Sequence, residues 1–125
     1  MRRIIVVVAA IMLVGCSANA ASSIAYTDMP TAGIVESGQQ LFSESINSAP
    51  PCVGCHMPGV AASPDLAGFA ARAGESEAAR EYAFYSITEP GRTVVEGFGN
   101  VMYDQYDEKL TPQQIADLIA YLLTL

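Results

Sequence analysis

The apolar positions fall into helical stripes, with no alternating run that would suggest a strand. The sharpest stripe is C-terminal: Ile115, Leu118, Ile119, Leu122 and Leu123 recur at helical period, with Tyr121 to one side. Thr111 precedes it as N-cap, Pro112 sits at N1 and Gln114 is the N3 partner of a capping box. Near the other end Ile34, Val35, Gly38, Leu41, Phe42 and Ile46 share a face and predict a helix from Ile34 to Asn47. Ser48-Ala49-Pro50-Pro51 ends it, because proline cannot continue a helix. Gly38 costs that helix about 1 kcal/mol against alanine, which points to close approach of another backbone. A third helix is predicted over Glu77–Thr88, with Ser76 as N-cap, Ala78, Tyr82, Tyr85 and Ile87 inward, and Pro90-Gly91 as terminator. Glu77 and Glu81 lie at its positive end, as the helix dipole prefers.

Between these elements the pattern thins. Pro64-Asp65 opens a short apolar turn from Leu66 to Ala73, which Gly74 stops and in which Phe69 is available as a pocket wall. Arg92 to Leu110 is the least regular stretch, with Gly97-Phe98-Gly99-Asn100 reading as loop ahead of Val101-Met102-Tyr103. There is no internal repeat and no second domain. The expected architecture is all-α, about four short helices over residues 34–125.

The first twenty residues stand apart. Met1-Arg2-Arg3 is a basic start and Ile4–Val14 an unbroken apolar run, the layout of a secretory signal. The run is short for a membrane span, which takes about 20 apolar residues. Two processing sites compete. Ala18-Asn19-Ala20 suits ordinary cleavage, whereas Leu13-Val14-Gly15-Cys16 resembles a bacterial lipobox, with Cys16 lipidated. The lipobox is preferred because it accounts for the odd cysteine. Residues 17–33 are rich in Ala, Ser and Thr and are expected to form a flexible tether. Either route exports the mature chain to the periplasm or the outer face of the cell membrane.

Removing the leader sharpens the charge. The whole chain has a formal net charge of −7; without Arg2 and Arg3, four basic residues face thirteen acidic ones, a net of −9. That balance argues against a nucleic-acid partner, whose binding relies on Lys and Arg. It favours a basic docking partner, or simply solubility.

The chemistry lies in Cys52-Val53-Gly54-Cys55-His56. This is the attachment signature of a c-type haem: two thiols placed for two vinyl groups and an imidazole offered to one face of the iron. A redox-active Cys-x-x-Cys pair or half of a zinc site are the alternatives, but zinc usually takes four ligands and His56 is the chain's one histidine. One covalent haem c is therefore expected. A mature chain of this size is small for a self-sufficient core, and the macrocycle supplies apolar surface, so the apo-protein is expected to fold poorly.

The second axial ligand follows by elimination. With a single histidine, bis-histidine ligation within one chain is impossible. Met57 is adjacent to His56, Met29 lies in the tether and Met12 in the leader. Met102 remains, on a Gly-rich loop with enough intervening chain to cross the haem, and Met/His is a cytochrome ligand pair. Soft thioether sulfur favours Fe(II) and raises the reduction potential relative to a second imidazole.

From about Gly33 to Leu125 the chain resembles the class I c-type cytochromes. A helix with Gly38 and Phe42 precedes CVGCH; Pro64-Asp65-Leu66 resembles the family's Pro-x-Leu segment; Gly97 to Met102 resembles its methionine loop; Leu110 to Leu122 is similar to its last helix. The resemblance implies that first and last helices cross, with Gly38 and Phe42 against Tyr121. It implies that the Pro64 carbonyl accepts the His56 N–H, and that Leu66, Phe98 and Tyr103 contact the cofactor. Arg72, Arg92, Tyr103 and Tyr106 are candidates to meet the propionates. The family often has proline after the methionine; here it is Tyr103.

The function so implied is single-electron transfer between respiratory or photosynthetic membrane complexes. Partners would be a quinol-oxidising complex, a dehydrogenase or a terminal oxidase. A haem subunit fixed in an oxidoreductase complex is the alternative. An open-haem peroxidase or gas sensor, or a thiol–disulfide protein using Cys52 and Cys55, are more remote.

Overall fold

The computed structural model describes residues 22–74 and 76–125. These form five α-helices: α1 Val35–Ser43, α2 Phe69–Ala73, α3 Glu77–Thr88, α4 Tyr106–Lys109 and α5 Pro112–Leu122. Two 3-10 turns accompany them, Tyr26–Asp28 and Cys52–Gly54. Among the described residues there is no strand, only an isolated bridge between Ile46 and Ala49, and no helix long and apolar enough to cross a membrane. The expected signal region 1–20, including Cys16, and the tether's first residues, 17–21, lie outside the described residues.

α5 is the spine. Thr111 and Gln114 form the expected reciprocal capping box and Pro112 opens the helix. Ile115, Ala116, Leu118, Ile119 and Leu122 are buried along its inner face, while Leu123 is only half-buried. α1 crosses it at backbone contact distance, and the ring of Phe42 packs 5.4 Å from that of Tyr121. Gly38 is where the two helices meet: a Cβ there would lie 2.0 Å from the Asp117 carbonyl oxygen and 2.8 Å from the Tyr121 Cβ. The glycine costs propensity and permits the crossing.

α1 ends at Ser43, short of the expected Asn47. The Ser45 hydroxyl donates to the Ala49 carbonyl at 2.7 Å and the Ala49 N–H to Ile46 O at 2.8 Å. This tight turn carries positive φ at Asn47 and Ser48 and buries Ala49. Local side-chain bonds thus compete successfully with the helix.

α3 is capped by Ser76 as expected, but its inner face is rotated. Ala79, Ala83, Phe84, Ile87 and Thr88 are buried, whereas Ala78 and Tyr82 are exposed and Tyr85 is half-buried. Phe84 takes the core position because it has no hydroxyl to keep wet.

The expected flexible tether does not extend through residues 22–33. The Ser22 N–H donates to Glu89 at 3.2 Å, and the Ser23 N–H to Asp107 at 2.7 Å. The Tyr26 ring packs 5.3 Å from Phe84, and its hydroxyl donates to Glu77. The Ile34 N–H donates to the buried Asp117 carboxylate at 2.8 Å. Ile24, Tyr26 and Met29 supply the apolar contacts that convert a polar stretch into a strap across the domain.

Candidate functional site

Pro50 and Pro51 deny the chain a helix, and the next residues fold tightly. The N–H groups of Cys55 and His56 both donate to the Cys52 carbonyl, at 3.2 and 2.9 Å. Cys52 is half-buried against the core with Val53, while Cys55 is exposed; both are free thiols. Burial pushes the Cys52 thiol up from its ordinary pKa, with the Tyr106 hydroxyl pulling the other way.

His56 is half-buried, and its Nδ1 lies 2.9 Å from the Pro64 carbonyl oxygen. That carbonyl can only accept, so Nδ1 carries the proton and Nε2 is the nitrogen left for a metal. The segment behind it is clasped. Ser63 donates to the Cys55 carbonyl, and the Arg72 guanidinium donates to Ala67 O at 2.6 Å and Asp65 O at 2.9 Å. Arg72, a propionate candidate from sequence, is a clasp on the turn that presents Pro64 and Leu66. Leu66 is half-buried against the core cluster, beside which Phe69 is fully part of the core.

Met102 and Tyr103 are also half-buried against that cluster, whereas neighbouring Val101 is 71% exposed. Phe98 is half-buried but stands outside the side chains packed on the core. The Tyr103 ring meets the Tyr106 ring edge-on, centroids 4.9 Å apart. Tyr106 is buried and its hydroxyl donates to the Pro50 carbonyl at 2.7 Å. Burial, and then the neighbouring Cys52 thiol, hold its pKa well above the usual tyrosine value. Arg92 lies 3.5 Å over the Tyr85 ring and 3.8 Å from Glu89. Three of the propionate candidates, Arg72, Arg92 and Tyr106, therefore have other partners. Sequence reasoning missed Val53 and the role of Tyr106. The spacing of Tyr106 and Leu110 hinted at burial, but nothing local pointed to Pro50.

The donor set fits a covalently held haem: two free thiols, an imidazole with one nitrogen committed and one available, and a half-buried thioether. Val53, Leu66 and Tyr103 pack partly buried on the same core cluster as Cys52 and Met102. Among the described residues, no group of three or more His, Cys, Asp or Glu side chains converges as a metal-ion site, so the zinc alternative finds no ligand shell.

No curated protein and no solved structure matches the chain. A family model described as Cytochrome c does, over residues 35–125, from the first turn of α1 through the attachment motif to the end of α5. Motif, helical fold and matched span agree: the chain belongs to the cytochrome c family, binds covalently attached haem c and serves haem-based electron transfer.

Proposed function

We propose that this is a class I bacterial monohaem cytochrome, exported and lipidated at Cys16, that carries single electrons between membrane complexes on the outer face of the inner membrane. The observation that carries the ligand assignment is the 2.9 Å approach of His56 Nδ1 to Pro64 O, which leaves Nε2 for the iron. Cys52 and Cys55 would supply the two thioether sulfurs, and His56 and Met102 would hold the iron. Bound haem contributes a one-electron Fe(III)/Fe(II) couple. An iron held by both His56 and Met102 would have no site left for a substrate, which favours outer-sphere transfer over peroxidase or gas-binding chemistry.

The partner is a redox protein with a basic face, such as a quinol-oxidising complex, a dehydrogenase or a terminal oxidase. In support, the loop around Met102 exposes Val94, Val95 and Val101, with the acidic residues Glu96 and Asp104 in the same stretch. An apolar patch among like charges suits brief docking steered by charge. Detergent extraction followed by purification in high salt tests the carrier reading. A free monomer is expected, and stable co-purification with large membrane subunits would make the protein a fixed subunit of an oxidoreductase complex. The mass of the mature N-terminus separates lipidation at Cys16 from cleavage after Ala20.

A further inference from the structure

The loop that carries Met102 has few fixings of its own. Residues 93–105 contain no helix. Their hydrogen bonds among the described residues are local: Phe98 N–H to Val95 O at 3.1 Å, Val101 N–H to Gly99 O at 3.0 Å, Tyr103 hydroxyl to Gln105 at 3.4 Å, and Glu108 N–H to Gln105 O at 3.2 Å. None reaches another part of the fold. Apart from the packing of Met102 and Tyr103 on the core, the position of Met102 therefore depends on where the loop is fastened at its ends.

The downstream fastening is Tyr106, four residues beyond Met102 and 6% exposed. Its ring takes the edge contact with Tyr103 described above, next to Met102 in the chain. Its hydroxyl crosses to the Pro50 carbonyl, 56 positions away in sequence, and lies beside the Cys52 thiol. Pro50 directly precedes Pro51-Cys52, so this bond reaches the root of the attachment motif. A buried tyrosine is costly unless its hydroxyl is paired. Phenylalanine would fill the same space, so the hydroxyl has a purpose that packing alone does not supply.

We propose that Tyr106 is a positioning residue for the sixth ligand: its hydroxyl, bonded to Pro50, ties the Met102 loop to the haem-attachment motif. The inference rests on Met102 ligation. Without the tie the loop swings more freely, and Met102 gives way to hydroxide at a lower pH.

The test uses the ferric holoprotein and the weak far-red absorption of an iron-bound methionine sulfur, followed as pH is raised. Tyr106→Phe keeps the ring and removes the tie. The band is expected to disappear at a midpoint about one pH unit lower than in the wild type. This corresponds to about a tenfold larger population with Met102 detached, the scale of one lost hydrogen bond. Thr88→Val is the control. It removes another buried hydroxyl bond, Thr88 Oγ1 to Phe84 O at 3.0 Å, one that stays within α3. Its midpoint is expected to stay at the wild-type value. An unchanged midpoint in Tyr106→Phe, or an equal shift in both variants, overturns the tie. A wild-type ferric protein without the band instead overturns the ligation on which the tie rests.

Discussion

The backbone of Gly38 lies directly against that of Asp117, so close that a Cβ on Gly38 would stand 2.0 Å from the Asp117 carbonyl oxygen. Two effects of opposite sign meet in Gly38→Ala. Alanine is the better helix former by about 1 kcal/mol. Forcing a methyl group into a packed backbone contact costs about 3 kcal/mol. The second wins, because neither backbone can step aside without moving a helix. Denaturant unfolding of the holoprotein should show a net loss of about 2 kcal/mol, and a gain in stability would refute the close crossing.

Asp117 is the buried acceptor of the strap. Its Oδ1 receives the Ile34 N–H at 2.8 Å and the Gln113 side-chain amide at 2.8 Å. Asp117→Ala leaves the Ile34 N–H without its acceptor, while the exposed Gln113 amide keeps the Ala32 carbonyl at 3.3 Å, and should cost about 2 kcal/mol. Asp117→Asn, which retains an acceptor oxygen, should lose less. Limited proteolysis provides the local readout: cleavage within residues 22–34 should accelerate in the alanine variant before the rest of the domain is attacked.

Tyr106 makes stability depend on pH at the alkaline end. Its pKa is raised above 10.0, first by burial. Attachment of haem converts Cys52 to a thioether and removes the thiol's contribution, while burial remains. The folded state then holds the Tyr106 proton more tightly than the unfolded chain. The resulting stability is fully present below about pH 10 and is lost as pH climbs through the raised folded value, at about 1.4 kcal/mol per unit. Tyr106→Phe should flatten this decline in a series of thermal unfolding curves above pH 10, relative to wild type.

Met102→Ala empties one axial position if Met102 is the ligand. The far-red ferric band should vanish and the ferrous protein should bind carbon monoxide rapidly, while haem stays covalently bound on a denaturing gel. The reduction potential should fall as the soft sulfur is lost. A variant spectrum identical to wild type would place the sixth ligand elsewhere.

What the sequence disclosed was what neighbouring residues decide among themselves. Thr111, Pro112 and Gln114 lie within one turn, so the capping box of α5 was readable in full. Gly38 was readable as a close approach because an interior helical glycine needs a reason. The rotation of α3 was not: Tyr82, Phe84 and Tyr85 give three aromatic candidates for one face, and burial settled it through the packing of Tyr26 on Phe84. The strap was hidden for a related reason. Its partners Glu77, Glu89, Asp107 and Asp117 lie between 51 and 84 residues downstream, and composition alone reads such a stretch as loose. At the site, His56 and Pro64 are eight residues apart and their pairing followed from the family pattern. Arg72 and Arg92 were offered to the propionates because cations suit carboxylates; their contacts with the Ala67 and Asp65 carbonyls and the Tyr85 ring were not legible in the sequence.

The strap also fixes the protein's reach. With the lipid on Cys16, only Ser17 to Ala21 separate the anchor from Ser22, where hydrogen bonding to the domain begins. Five residues extend at most about 18 Å, less than the width of the domain they would have to carry. On the proposed lipidation, such a leash would be too short for the domain to turn over or to ferry electrons far from the bilayer. A domain held in this way would meet its donors and acceptors by drifting sideways among them, with one flank kept towards the lipid.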